Sequence, residues 1–166
     1  MELKIKSGVT DDVVRGVTEC YGTYASWADR DREQVETAIE HSDEHLYALD
    51  PGSDEVVASA RVLTDYCYYG VIYDVIVHEE YRGTGVGRAV VEAVTDHPPL
   101  EDVTQITLIA RDGLVPFYEK CGFERHPMTI EVDGETEAFN RMVLDDGPDD
   151  DTESQSRSPS DVPTTN

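Results

Sequence analysis

Positive charge is what this chain has least of. Thirteen Lys and Arg stand against 36 Asp and Glu over 166 residues, for a formal charge of −23, and only three of the bases are lysines, Lys4, Lys6 and Lys120. Such a balance repels phosphate backbones and anionic lipid, so neither nucleic acid nor a membrane surface is an expected partner. Long apolar runs are missing too. No stretch approaches the roughly 20 residues a spanning helix requires, and the opening MELKIKSGVT lacks the apolar core of a secretory leader. Cysteine is scarce: Cys20, Cys67 and Cys121 are odd in number, widely spaced and without C-x-x-C spacing. No disulfide framework, zinc site or redox motif is expected, only the reduced thiols of a cytoplasmic protein.

The acidity itself has two readings. It suits attraction of a cationic amine, or it keeps a halophilic-type surface soluble in concentrated salt, where the Debye length shrinks to ~3 Å. Many carboxylates with few lysines favour the second. The length fits one domain, expected over residues 1–144. Residues 145–166 carry one clear hydrophobe, Val162, among many acids, and cannot offset the entropy of ordering; an acidic disordered tail is expected there.

What is present centres on residues 71–97, VIYDVIVHEEYRGTGVGRAVVEAVTDH. The run rich in Val, Ile and Tyr predicts a buried strand. Val86, Ala89, Val90, Ala93 and Val94 fall at i, i+3, i+4, i+7 and i+8, one apolar face of a helix. Between them Gly83, Gly85 and Gly87 alternate, at roughly 1 kcal/mol each against Ala in a helix interior. Glycine is used at such a cost where something must approach the backbone closely. Bare N–H groups at a helix start suit a phosphate or pyrophosphate, and Arg82 and Arg88 add charge. The spacing separates the candidates. Arg88-Ala89 replaces the Gly-Lys-Ser/Thr ending of a nucleotide-hydrolase loop, and the glycines do not make the G-x-G-x-x-G of a dinucleotide fold.

Elsewhere the pattern predicts a strand over residues 2–6, a helix capped by Thr10 or Asp11 to about Tyr24, and a helix over 32–41 with Val35, Ile39 and Trp27 inward. Strands follow at 45–50 and 56–64 around the turn Pro51-Gly52-Ser53-Asp54. Pro98-Pro99 ends the central helix, 104–110 reads as another strand, and Asp112 is placed to cap a helix over 113–121 with Gly122 as its left-handed C-terminal cap. Closing strands are expected at 123–125, 128–132 and 138–144.

The string Arg82-Gly83-Thr84-Gly85-Val86-Gly87, read as R-x-x-G-x-G between strand and helix, resembles the acyl-coenzyme A pyrophosphate loop of the GNAT superfamily of N-acetyltransferases. The later Phe117, Tyr118, Gly122 and Phe123 match that superfamily's F-Y-x-x-x-G-F pattern, in the correct order and separated by a strand. The resemblance implies an α/β (α+β) fold with a mixed, mostly antiparallel sheet splayed at its central strand and flanked by helices. It implies acetyl transfer from acetyl-coenzyme A, without a metal, to a small-molecule amine or peptide acceptor. Carried over residue by residue, backbone groups of Val75, Ile76 and Val77 hold the pantetheine and orient the thioester. The amides of Arg82, Gly83, Thr84, Gly85, Val86, Gly87 and Arg88 hold the pyrophosphate. Phe117 packs along the cofactor, and Tyr118 is the general acid for the departing thiolate. Arg111 stands where many members have asparagine, and is assigned to the cofactor or a phosphate.

Direct attack by an amine needs a base for its proton. Asp74, a carboxylate inside an apolar strand, is the candidate base, since burial raises a carboxyl pKa; the alternative is an Asp that bonds a neighbouring backbone group or tyrosine for structure. His78, at the loop start, is a weaker candidate. Tyr66, Tyr68, Tyr69 and Tyr73 wall an acceptor pocket or simply pack. Without Tyr118, the loop alone would fit an acyl-coenzyme A-binding sensor that does not turn over.

Overall fold

A computed structural model describes residues 3–126, 129–132 and 134–138. Strand β1 (Lys4–Ser7) leads into helix α1 (Asp11–Gly22), whose Thr10 hydroxyl accepts the Val13 N–H at 3.3 Å. Helix α2 (Arg32–Glu40) is capped in the same way by the Asp31 carboxylate, which accepts from Gln34 N–H at 2.8 Å. Strands β2 (Glu44–Leu49) and β3 (Val56–Thr64) form the expected hairpin. The central strand β4 (Tyr69–Val77) and helix α3 (Val86–Thr95) follow, then β5 (Gln105–Leu108) and the short helix α4 (Val115–Lys120). The sheet order is β1-β2-β3-β4-β5, antiparallel throughout except where β4 meets β5 in parallel. This is the mixed, mostly antiparallel sheet with flanking helices expected from the sequence.

Both faces of the sheet are covered, by two separate apolar clusters. Val86, Val90 and Val94 of α3 pack with Leu46, Ala60, Val62 and Ile72 on one side. Val13, Val17 and Tyr21 of α1 and Val35 and Ile39 of α2 pack with Tyr47, Val56 and Ile76 on the other. The valines of the stripe read from the spacing are buried and Ala89 and Ala93 partly so, while Val91, off that stripe, is buried as well.

The described chain divides after Arg125 into two compact units. In the second unit, β6 (Thr129–Val132) pairs antiparallel with β7 (Glu135–Ala138) through a turn at Gly134, whose φ is +85°. Residues 123–125, expected as a strand, are irregular, because Gly122 and Phe123 close the end of α4 instead. A strand forms at Glu135–Ala138, ahead of the one expected at 138–144; residues 139–144 lie outside the described residues, as does the acidic segment 145–166.

One irregularity organises the centre. Ser59 pairs with Ile76 and Arg61 with Tyr73, so the single residue Ala60 faces two residues of β4, Asp74 and Val75. This is a β-bulge. Asp74 takes the left-handed conformation, φ +50°, which Asp tolerates better than most L-residues. The bulge shifts the alternation by one: Ile72 belongs to the α3 cluster, while Ile76 belongs to the α1 cluster.

Candidate active site

Strand β5 stops early. Its pairing ends at Leu108 opposite Ile72, so residues 73–77 of β4 have no strand partner on that edge among the described residues. This gap is the splay expected at the central strand. The His78 N–H donates to Val57 O of β3 at 2.8 Å, so by alternation the N–H and C=O of Val77 face the open edge. Ile76 pairs with Ser59, and its backbone is directed at β3. The backbone groups available for a ligand strand are therefore those at Val77 and at Val75 beside the bulge, not all three in equal measure.

A hydroxyl already sits on that edge. Tyr24, just beyond α1, accepts the Val77 N–H at 2.9 Å and donates to the Val77 carbonyl at 3.1 Å. The Arg82 guanidinium lies over the Tyr24 ring, 4.1 Å from its centre, and donates to Val77 O, Thr23 O and Thr23 Oγ1 at 3.1, 3.0 and 2.7 Å. The Arg82 side chain thus ties the end of α1 to β4. Arg88 donates to Glu92 at 2.6 Å along α3, and Arg111 is exposed, with no side-chain hydrogen bond among the described residues. The anion site consequently rests on backbone rather than on arginine side chains.

That backbone is laid out for it. Gly83 and Gly85 have φ of +76° and +93°, and a Cβ on either would meet nothing within 4 Å. Gly85 begins α3 with no side-chain cap, and among the described residues no acceptor is found for the N–H groups of residues 85–88. Unpaired N–H groups at a helix start form an anion cradle. Gly87 has a different reason to be glycine: a Cβ there would lie 3.1 Å from Val77 Cγ2 and 3.5 Å from the Phe117 ring. It brings α3, β4 and α4 into one place. A pyrophosphate at the amides and an extended pantetheine on the β4 edge fit these residues.

Tyr118 is fixed by the way α4 ends. Gly122, φ +91°, donates its N–H to Glu119 O at 3.1 Å, and Phe123 N–H donates to Tyr118 O at 3.1 Å. This is a Schellman motif, and it carries the apolar contact such motifs use, the rings of Phe123 and Tyr118 lying 6.2 Å apart. Phe117 meets Tyr118 edge-on at 4.9 Å. The spacing F-Y-x-x-x-G-F is therefore a helix stop that orients a tyrosine. Burial pushes the phenol above its ordinary value, with Cys121 and Tyr24 adding to the rise, so Tyr118 stays protonated at neutral pH. Its hydroxyl has no hydrogen-bond partner among the described residues. Asp112, expected to cap this helix, instead pairs with Arg125 at 3.1 Å, because a 3₁₀ turn at Asp112–Leu114 separates it from the α4 start.

The reasoning for Asp74 as base needs correction. Burial does raise its carboxyl, but the hydrogen bond and charge of Arg61, the charge of Arg30 and the Tyr21 phenol outweigh that and hold it below the ordinary carboxylate value. Arg61 Nε and an Arg30 terminal nitrogen reach the same oxygen, Oδ2, at 2.7 and 3.1 Å. The left-handed turn at the bulge places the carboxylate on the α1 side, beside Tyr21. Sequence spacing did not show Tyr24, Arg30, Arg61 or Tyr21 at this centre. The one available signal was Arg61 itself, a charge in the middle of VVASARVLT.

His78 sits at the start of a 3₁₀ turn with its ring against Tyr81. Tyr66, Tyr68, Tyr69 and Tyr73 are all exposed. Among the described residues no three His, Cys, Asp or Glu are grouped to hold a metal ion, and no helix is long and apolar enough to cross a membrane.

The family model of the acetyltransferase (GNAT) domain matches residues 15–143. An uncharacterized N-acetyltransferase of Porphyra purpurea is 29% identical over 103 residues, 61% of this chain and 59% of that protein. A chloroplastic serotonin N-acetyltransferase of Oryza sativa is 35% identical over 104 residues, 61% of this chain and 52% of that one. The chain thus spans a little over half the length of these curated relatives. Among solved structures, a GNAT-family acetyltransferase of Streptococcus pneumoniae superposes with a TM-score of 0.60 at 25% identity, over 74% of this chain and 88% of that one.

Proposed function

Since the chain belongs to the GNAT acetyltransferase family, we propose that it is an N-acetyltransferase that moves an acetyl group from acetyl-coenzyme A to a primary amine, on a small molecule or a peptide, by direct attack with both substrates bound. The observation that carries this reading is one convergence. The uncapped amides of residues 85–88 and the unpaired edge of β4 meet at Gly87, which packs against Val77 and against Phe117, the ring that Tyr118 meets edge-on.

Acetyl-coenzyme A supplies an activated acyl group on a good leaving thiolate. The chain supplies the rest. The amides of Gly83 and of residues 85–88 hold the pyrophosphate, those of Arg82 and Thr84 being taken by Glu79 O and Tyr81 O at 3.3 and 3.4 Å. The exposed Arg111 is a further candidate for the cofactor's phosphates, and Val75 and Val77 offer backbone groups along the extended pantetheine. The Val77 N–H is taken by Tyr24, so that hydroxyl must yield or share the edge when the pantetheine pairs there. Phe117 closes the side of the channel. The amine nitrogen bonds to the carbonyl carbon, the C–S bond breaks, and Tyr118, kept protonated by burial, donates its proton to the departing sulfur; the proton shed by the nitrogen passes through water and restores the phenol. With Asp74 held as an anion between two guanidiniums, the acceptor reacts as its free base.

The test has two arms. Acetyl-coenzyme A should raise the melting temperature of the parent protein and not of Gly85→Asp, which puts a side chain and a negative charge into the cradle. Free-thiol release with a panel of amines, including serotonin and lysine peptides, should then identify an acceptor. Equal thermal shifts in parent and variant would remove the cradle from the cofactor site, and thiol release with no amine would overturn the transfer reading.

A further inference from the structure

Arg30 and Arg61 share a single counter-charge. Both donate to Asp74, whose side chain is 10% exposed, and no second carboxylate lies within ion-pair distance of either guanidinium among the described residues. In a chain of formal charge −23, this is a local surplus of positive charge. Neither arginine is saturated. A guanidinium has five N–H donors in one plane; Arg30 spends one on Asp74, and Arg61 spends two, on Asp74 and on Ser42 Oγ at 3.4 Å.

Aromatic rings hold both guanidiniums in place. Arg30 lies 4.5 Å from the centre of Tyr21 and 5.0 Å from that of Trp27, and Arg61 lies 5.4 Å from that of Tyr73. These cation–π contacts use the face of the cation and spend none of its N–H donors. Solvent reaches both side chains, at 32% and 20% exposure. They pair with Asp74 at the bulge, next to Val75 on the open edge of β4. One arginine is sufficient to neutralise Asp74, and the second is left with charge and donors at the place an acceptor must reach.

We infer that Arg30 and Arg61 bind an anionic group of the acceptor, so that the substrate class is a small amine that also carries a carboxylate or phosphate. This rests on the acetyl-transfer reading for the amine and adds the acceptor's charge. It opposes the general field of the chain, which by itself would draw in a cationic amine.

The experiment uses matched pairs that differ only in the anion: tyrosine with tyramine for the carboxylate, and O-phosphoethanolamine with ethanolamine for the phosphate. Acetyl-coenzyme A binding is measured first, and its absence would sink the transfer reading on which the proposal stands. With the cofactor bound, kcat/KM from thiol release should favour the anionic member of at least one pair by roughly tenfold or more, the pair identifying which anion is read. Arg30→Gln should bring that ratio toward one, and Arg30→Lys should restore part of it. Calorimetric titration of the anionic members, with coenzyme A present, should show the same ranking between parent and variant. Preference for the neutral members, no binding of either anion, or a loss in Arg30→Gln that is equal for both members of a pair would overturn the proposal, the last because a purely structural ion pair affects every acceptor alike.

Discussion

Replacing Asp74 by Asn tests the centre of the sheet with one atom's change. Asn has the same shape and tolerates the φ of +50° as Asp does, so the bulge keeps its backbone and only the charge is lost. Removing one partner of a fully buried ion pair costs about 3–5 kcal/mol. Here the carboxylate is well covered but Arg30 is a third exposed, and water compensates part of the loss, which brings the expectation to about 2 kcal/mol. For a chain of this size that is a fall of roughly 4–8 °C in melting temperature. The pH dependence gives the sign. The folded carboxyl lies below its unfolded value of 3.8, so its contribution is complete above that value and disappears as pH falls through the folded one. Denaturant titrations of parent and variant should differ by the same amount from pH 7 down to about pH 5, and converge only below about 3.8. A raised pKa, as a general base would need, predicts the reverse, with the parent gaining on the variant as the pH falls from neutrality. That outcome, or a difference under about 0.5 kcal/mol at pH 7, would refute the ion-pair account.

Three further outcomes are expected. Tyr118→Phe should keep the packing against Phe117 and Phe123, hold acetyl-coenzyme A affinity within a few-fold, and lower turnover by roughly 10²-fold if proton donation limits the rate, as steady-state kinetics on a confirmed acceptor would show. Gly122→Ala meets no neighbouring atom, so its cost is conformational, about 1–2 kcal/mol for the left-handed φ; calorimetry should show the loss, and activity should fall further because the residue closes the helix that carries Tyr118. Melting temperature should rise as potassium chloride is taken from roughly 0.1 M to roughly 3 M, because screening relieves self-repulsion in a chain of charge −23; a flat profile would leave the acidity without this explanation.

The regular elements were legible because their patterns are local. The bounds of β3 are those read from VVASARVLT between turn and link, and α3 follows the spacing of its valines. The glycine string was legible for the same reason, since a left-handed φ and an uncapped helix start are properties of a few adjacent residues. The partners of Asp74 were not. Arg61 and Arg30 lie 13 and 44 residues away, and no periodicity links them. The bulge is also silent in VIYDVIV, which reads as one uninterrupted strand, and that silence is why burial alone was credited with setting the Asp74 pKa. Tyr24 reaches Val77 across 53 residues by a contact that only the fold brings about. The cap of α4 failed for a local reason, a 3₁₀ turn intervening before the helix proper.

Odd and even positions of a strand ordinarily keep to their own sides from one end to the other. In β4 they exchange sides partway, so the strand is two half-strands of opposite parity joined at one left-handed residue. Deleting Asp74 would remove the bulge and leave Val75, Ile76 and Val77 opposite Ala60, Ser59 and Ala58, each on its present side and with the Val77 backbone still on the open edge. Keeping Asp74 but forcing it into regular pairing would instead turn Ile76 toward α3 and Val75 and Val77 toward α1, and rotate the Val77 backbone from the open edge to β3. Inside, outside and reactive edge are thus set by the left-handed bend at Asp74, which absorbs the one extra residue of this segment.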